Sequence, residues 1–436
     1  MKLFLVSLGC DKNLTDSEHM MAFLIEAGHT FTDDETEAEG VIINTCCFIG
    51  DAKEESINTI LEYAAMKQAG DIKLLVVTGC LAQRYCNEIR AEIPEVDILV
   101  GTTAFADIAD AIKRKEDRFR PVDYLPKIDV RRSCFTGTPY AYLKIAEGCD
   151  KHCTYCAIPS MRGRYRSVPK EELLREAKDL AKAGIKELIL VAQETGEYGL
   201  DLYGRKALPE LLRELAKVSG IRWIRVLYMY PEEITDEIIE TIATEEKVVK
   251  YLDLPIQHAS DTVLKRMARK TTRKEILSLL KTLRKRIPGI VLRTSLIAGF
   301  PGETEAEHEE LCDFVREAGF DRLGVFAYSR EENTPAAKMS PQIPKRIRQK
   351  RRNAIMRIAA GIEFEKAKDH IGEEIEVCVD GYLPEDHVLV CRSYMDAPGV
   401  DGYVFVYSEE QLNSGTFLDV KVTGAKGYDL IARIIE

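Results

Sequence analysis

No apolar run in this sequence approaches the roughly 20 residues that a membrane-crossing helix needs, so no helical span is expected. The opening MKLFLVSLGC is too short for a secretory core and is soon followed by acidic residues. Ser7 and Leu8 also stand in the wrong order for a lipoprotein signal. A cytoplasmic location is the resulting expectation. Positive charge is in short supply as well: the net charge of −11 disfavours a protein that coats nucleic acid over its whole surface. Cysteine, by contrast, is plentiful, with 12 in 436 residues. Disulfides are not expected in a reducing compartment, so metal or redox chemistry is the default reading. The length suits two or three domains.

The expected organisation is α/β multidomain. A parallel-sheet α/β amino-terminal domain covers 1–115, and 116–139 form a linker. A partial (βα)6 barrel covers 140–365, and a small β-barrel covers 366–436. In the first domain, apolar runs at 2–8, 40–45, 72–78 and 97–100 alternate with helical patterns at 15–27, 51–68, 82–92 and 104–115. Such alternation implies a parallel sheet covered by helices. Cys10, Cys46 and Cys80 each follow a strand, so all three reach the carboxyl edge, where open α/β sheets bind ligands. Three converging thiolates can hold an iron–sulfur cluster. Small buried hydrophobes are the competing reading for any one of them. Cys47 is expected to point away, and Cys86 and Cys134 to be inert.

The second domain opens on EGCDKHCTYCAIP, in which Cys149, Cys153 and Cys156 have C-x3-C-x2-C spacing. That is neither a zinc-ribbon nor a bacterial ferredoxin pattern. Three thiolates on a four-iron cluster leave one iron open. The motif resembles the signature of the radical SAM superfamily. The resemblance implies that the open iron chelates S-adenosylmethionine (SAM) and that the reduced cluster cleaves it to a 5′-deoxyadenosyl radical. Tyr155 is placed to shield the cluster, and His152 reads as a solvated loop residue. Strand-like runs near 141–147, 186–192, 221–229, 249–256, 290–297 and 321–328 alternate with helices, and barrel chemistry sits at carboxyl strand ends. Those ends offer Gln193, Glu194, Gln257, His258 and Arg293, and the loop Gly299, Phe300, Pro301 and Gly302. The resemblance makes Gln193, Gln257, Arg293 and that loop the expected SAM contacts. A plain turn before a helix is the competing reading of the loop, and a structural role that of His258.

The stretch QIPKRIRQKRRNAIMRIAAGIEFEKA reads as a long basic helix, whose 345–357 segment could contact RNA. Beyond it, five short strands suggest a small closed barrel, similar to the TRAM domains of related enzymes. From His370 to Glu436 there are thirteen acidic and four basic side chains, a net of −9. Phosphates would be repelled by such a barrel, and a basic protein attracted. The loop SYMDAPGVDG, with Tyr394 beside Asp396, is the expected docking contact.

With both triads placed, the whole chain resembles the methylthiotransferases, which insert sulfur and a methyl group at an unactivated carbon. One branch modifies an adenosine of transfer RNA. The other modifies the β-carbon of an aspartate in the twelfth small-subunit ribosomal protein. SLGCDKNLTDSE, NTCCFIGDAKEESI, AYLKIAEGCDKHCTYCAIPSMRGRYRS and SYMDAPGVDGYV resemble the second branch. QETGEYG, with Glu194 and Glu197, departs slightly from the family's wording. The resemblance implies two four-iron four-sulfur clusters, SAM as methyl donor and radical source, an external electron donor and a sulfur donor. It also implies a two-phase reaction: methyl transfer to sulfur on the amino-terminal cluster, then radical attack on the aspartate carbon. An electron carrier without catalysis and a zinc-stabilised binding protein are the alternatives from other classes.

Overall fold

The computed structural model describes residues 1–134 and 136–435. Its amino-terminal sheet is parallel and five-stranded, in the spatial order Thr30–Phe31, Lys2–Ser7, Gly40–Thr45, Leu74–Gly79, Ile98–Val100. The two central strands are buried along their whole length. Helices on both faces demand that, which is why these strands are continuous apolar runs. The two-residue edge strand Thr30–Phe31 is an addition to the sequence reading.

Six parallel strands form the second sheet: Tyr140–Lys144, Glu187–Val191, Trp223–Val226, Val248–Asp253, Val291–Ala298 and Arg322–Ala327. They lie side by side in chain order, and the first does not pair with the last among the described residues, so the barrel is open. The helix Glu305–Ala318 begins with a capping box of Thr304 and Glu307, as their spacing requires. Lys345–Asp369 is one helix of 25 residues that packs on the last barrel strand and carries the chain out of the barrel. It runs past the 365/366 boundary expected from sequence.

The last five strands close into a barrel, Glu374–Leu383, Val388–Ser393, Val404–Tyr407, Phe417–Lys426 and Asp429–Ile434. Its core is continuous with the mouth of the larger barrel: Val377, Leu389, Val404 and Val420 share one apolar cluster with Ile189, Trp223, Val249 and Val291. No described helix is long and apolar enough to cross a membrane.

The loop Ser393–Gly402 is not the docking surface expected of it. Asp396 is 3% exposed and accepts from Arg322 and Ser393, each at 2.7 Å. Asp401 accepts from the Tyr251 hydroxyl at 2.6 Å. Tyr394 donates to the Gly289 carbonyl at 3.0 Å and accepts from Arg225 at 2.7 Å. The aromatic among acids does anchor an interface, but an internal one. Arginines turned inward from the barrel strands need buried anions, and this loop supplies them.

Candidate functional site

The amino-terminal sheet presents its carboxyl edge to the carboxyl edge of the barrel. Local backbone makes this possible. Gly9 turns at φ +89°, and a Cβ there would lie 2.5 Å from Cys46 Cβ. Gly79 turns at φ +91°, where a Cβ would meet Asn44 Oδ1 at 2.4 Å. Only glycine tolerates both the angle and the approach, so the chain around Cys10 and Cys80 closes down on Cys46. Asn13, on the helix Asp11–Glu26, ties the edge together by donating to the Leu8 and Thr45 carbonyls, each at 3.0 Å.

Cys10, Cys46 and Cys80 therefore form one electrostatic group. Burial, then Cys80 and Cys10, push the Cys46 thiol up to about 12. Burial also raises Cys80, against the pull of Arg162. Cys47 turns away into the core, with its sulfur 3.2 Å from Met161 Sδ. Cys86 and Cys134 are half-buried elsewhere.

The second thiol group sits on the loop after the first barrel strand. A two-stranded ribbon, Ala146–Glu147 with Arg166–Ser167, frames that loop. Cys149 accepts from Lys151 N at 3.4 Å and Cys156 from Ile158 N at 3.5 Å. Burial is the main cause that pushes each of these two thiols up to about 12, and the neighbouring cysteines add to it. His152 is exposed. Among the described residues no three His, Cys, Asp or Glu side chains are grouped to hold a single metal ion. Thiolates bound to different irons of a cluster stand farther apart than ligands of one ion. The donor chemistry fits such a cluster: soft sulfur only, with thiols that ionise readily only against a cationic centre.

Around the second group the structure places several expected residues and some unexpected ones. Gln193 donates to Glu147 Oε1 at 2.9 Å, and its own Oε1 is buried without a partner. The Tyr155 hydroxyl is likewise buried and unpartnered, while the ring packs with Phe300, Met267 and Val263. Gln257 adopts φ +71°, uncommon for a non-glycine residue, at the rim of the barrel. Arg293 pairs with Asp253 at 2.8 Å and lies 3.6 Å from Asp401, so its charge is engaged by carboxylates within the fold.

The Gly299–Gly302 loop spends its polar groups internally. Gly299 N and Phe300 N donate to Glu303 at 2.7 and 3.0 Å, and Gly302 N donates to Pro341 O at 2.8 Å. A Cβ on Gly299 would sit 2.4 Å from Arg348 Cγ, so this glycine admits the long basic helix. His258 accepts from Ser260 N at 3.0 Å and faces Glu303, within the fold. Glu194 is buried, caps Gly196 N and Tyr230 N, and is raised by burial well above the carboxylate range.

Arg269 was missed by sequence reasoning. Its guanidinium lies 3.8 Å over the Tyr230 ring, and the Tyr230 hydroxyl is 3.5 Å from Cys153 Sγ. One nitrogen donates to Pro255 O at 3.1 Å, but Nε and Nη1 are buried with no hydrogen-bond partner. Glu232 is its nearest carboxylate, at 3.9 Å, and a buried cation with two free nitrogens beside a cysteine triad is suited to an anionic ligand group. Tyr228 was missed too. It adopts φ +60°, and its ring carries Lys12 Nζ at 3.6 Å, linking the two domains at the Cys10 end. Neither residue stands in a motif.

Comparison with known proteins adds the following. Residues 143–315 match the model of the radical SAM superfamily, 2–101 that of an uncharacterized protein family, UPF0004, and 371–435 that of the TRAM domain. A ribosomal protein uS12 methylthiotransferase RimO from Lachnoclostridium phytofermentans is 56% identical, over 99% of this chain and 99% of its own. One from Clostridioides difficile is 46% identical, over 100% of this chain and 99% of its own. A solved radical S-adenosylmethionine methyltransferase, TsrM of Kitasatospora setae with cobalamin and a four-iron four-sulfur cluster bound, aligns with a TM-score of 0.56. That alignment covers 77% of this chain and 76% of that one at 16% identity, which speaks to fold alone.

Proposed function

The chain belongs to the family of ribosomal protein uS12 methylthiotransferases, RimO, and we infer from that premise that it adds a methylthio group to the β-carbon of an aspartate in uS12. It is a radical SAM enzyme, a transferase that works with SAM and four-iron four-sulfur clusters. The full-length relatives at 46% and 56% identity carry the ribosomal-protein name, so modification of transfer RNA is not favoured.

We assign Cys10, Cys46 and Cys80 to one cluster and Cys149, Cys153 and Cys156 to a second. The observation that carries this is the pair of thiol groups, on two domains whose carboxyl edges face each other. Clusters held there, together with SAM, would supply the radical chemistry at the aspartate carbon and the sulfur and methyl that it gains. The chain itself positions and encloses. Arg269 takes the carboxylate of SAM with its two unpartnered nitrogens, and Gln193 offers its unpartnered oxygen to a donor group of the cofactor. Tyr155 and Phe300 wall the triad loop, and Gln257 shapes the rim. The amino-terminal domain covers one end of the barrel and the carboxyl-terminal barrel the other, which keeps water from the reacting centre. The 299–302 loop contributes shape, and Arg293 ties the larger barrel to the smaller one through Asp253 and Asp401.

The basic substrate, a sulfur donor and an external electron donor meet the enzyme in the cytoplasm. Arg348, Arg351 and Arg352 of the long helix are engaged within the fold. Any contact with ribosomal RNA falls to the exposed basic residues of this helix, chiefly Lys345, Arg346, Lys350 and Arg357.

Anaerobic reconstitution tests the assignment. Unmodified protein is expected to hold two clusters, and each cysteine-to-alanine triple variant one. Without Cys10, Cys46 and Cys80 the protein should still cleave SAM but transfer no methylthio group. Without Cys149, Cys153 and Cys156 it should do neither. Loss of SAM cleavage in a folded variant of the first kind would refute the division of labour.

A further inference from the structure

Between the two thiol groups lies a buried ionic cluster that none of the assigned roles uses. Lys144, the last residue of the first barrel strand, pairs with Asp16 of the amino-terminal domain and with Glu147 at 2.9 Å. Arg162, on the short helix Ile158–Arg162 after the triad loop, pairs with Asp16 at 3.0 Å and Glu147 at 2.8 Å. Its second nitrogen donates to Asn13 Oδ1 at 2.5 Å and to Cys80 Sγ at 3.5 Å. All four charged residues are buried. On the other side, Glu147 accepts from Gly148 N at 3.2 Å, next to Cys149, and from Gln193. A continuous line of contacts thus runs from Cys80 through Arg162 and Glu147 to the backbone at Cys149.

The line is polarised. Its cationic end touches a sulfur of the amino-terminal triad, and its anionic end adjoins the barrel triad. Two cations and two carboxylates balance, so the charge of each is felt locally and cancels at distance. Arginine suits the position because it stays charged and its five donors serve several acceptors at once.

We propose that Arg162 is a positioning residue that raises the reduction potential of the amino-terminal cluster, with Asp16 moderating its effect. The proposal rests on the cluster assignment above. A hydrogen bond to a ligand sulfur and a nearby positive charge both favour the reduced, more negative state of a cluster. Removing the cation lowers the potential. Removing the anion that partly neutralises the cation raises it. A side chain that merely fastened two domains together would not give shifts of opposite sign.

The test uses full-length protein carrying Cys149→Ala, Cys153→Ala and Cys156→Ala, so that one cluster remains. Its potential is followed by electron paramagnetic resonance during anaerobic redox titration. Arg162→Gln is expected to shift the midpoint down and Asp16→Asn to shift it up, with Arg162→Lys between Arg162→Gln and the parent. If Arg162→Gln fails to hold a cluster, Arg162→Lys and Asp16→Asn still give the two opposed shifts. A parent that binds no iron overturns the cluster assignment and the proposal with it. A parent with its cluster whose midpoint is unmoved, or moved in the same direction by the Arg162 and Asp16 substitutions, overturns the proposal alone.

Discussion

At both ends the six-stranded barrel meets a neighbouring domain through buried ions, yet the two joints differ in what surrounds those ions. At the amino end, Arg225 and Arg392 share Glu187 at 2.7 Å each, Arg392 also holds Asp380, and Arg322 and Arg293 meet Asp396, Asp253 and Asp401. Apolar side chains of both barrels surround these pairs in a common core. At the carboxyl end the ion pairs stand among six thiols, an arginine with two unpartnered nitrogens and a glutamine with an unpartnered oxygen. Buried polar groups are normally satisfied within the fold. The amino end leaves one nitrogen each of Arg225 and Arg322 without a partner, but the shared apolar core seals it, and it acts as a plug. At the carboxyl end the unpartnered atoms accompany the thiols to which cofactors are assigned, not a sealed apolar core. The difference separates charges that hold the molecule together from charges that act on something else.

Breaking the plug should have the largest effect on stability and little on chemistry. Glu187→Gln leaves two buried guanidinium groups without their shared anion, and losing one partner of a buried pair costs about 3–5 kcal/mol. Denaturant unfolding should show that loss, with hydrogen exchange rising first in 374–434. SAM cleavage at low temperature should persist. A loss below about 1 kcal/mol, within the range of an exposed pair, would mean that the amino end is not the structural joint described.

The opposite behaviour is expected of Arg269. Arg269→Met should lower the unfolding midpoint only modestly, because the fold loses one hydrogen bond to Pro255 O, the stacking on Tyr230 and a 3.9 Å contact with Glu232, while two of its nitrogens satisfy nothing in the fold. A hydrogen bond to a charged group is worth about 1.5–3 kcal/mol, so SAM binding should weaken by roughly ten- to a hundredfold. Equilibrium dialysis with SAM on reconstituted protein measures this directly. Unchanged affinity would show that the orphaned nitrogens do not face the cofactor.

Much of the architecture was legible in the sequence because it depends on local signals. Gly40–Thr45 appears as read, the capping box at Thr304 and Glu307 forms, and the five tail strands close into a barrel. The convergence of Cys10, Cys46 and Cys80 followed from topology, since residues after parallel strands share an edge. The joints were not legible. Arg225, Arg293 and Arg322 interrupt apolar strands, which is a signal for buried counter-ions, but nothing local says that Asp396 supplies that of Arg322 from 74 residues away, or that Asp401 comes to Arg293 from 108. The tail's acidity was therefore read as surface. Arg269 and Tyr228 depend on which loops meet, and sequence spacing carries no record of that.

That correction redirects the last and smallest prediction, which concerns how uS12 is met. Asp380, Asp396 and Asp401 are consumed by the plug, so reversing them would undock the barrel and report nothing about a partner. The acids that remain free for a basic protein lie elsewhere. Glu385 and Asp386 at one hairpin tip are exposed, as are Glu409 and Glu410 beyond the adjoining strand. His387 lies 3.7 Å from Glu409, which sets the two segments side by side. Leu383 and Tyr407, 43% and 64% exposed, give the patch an apolar centre. Exposed charges of this kind act mainly on the rate and orientation of encounter, and salt screens them beyond about 8 Å at physiological ionic strength. Glu385→Lys, Asp386→Lys, Glu409→Lys and Glu410→Lys together should slow association with uS12 by about five- to tenfold at low salt. Stopped-flow binding at two ionic strengths checks this, with SAM cleavage and unfolding midpoint unchanged as controls. The rate difference should shrink as salt is added. A rate that is insensitive to all four reversals, or a difference that survives high salt, would place the encounter surface off this barrel.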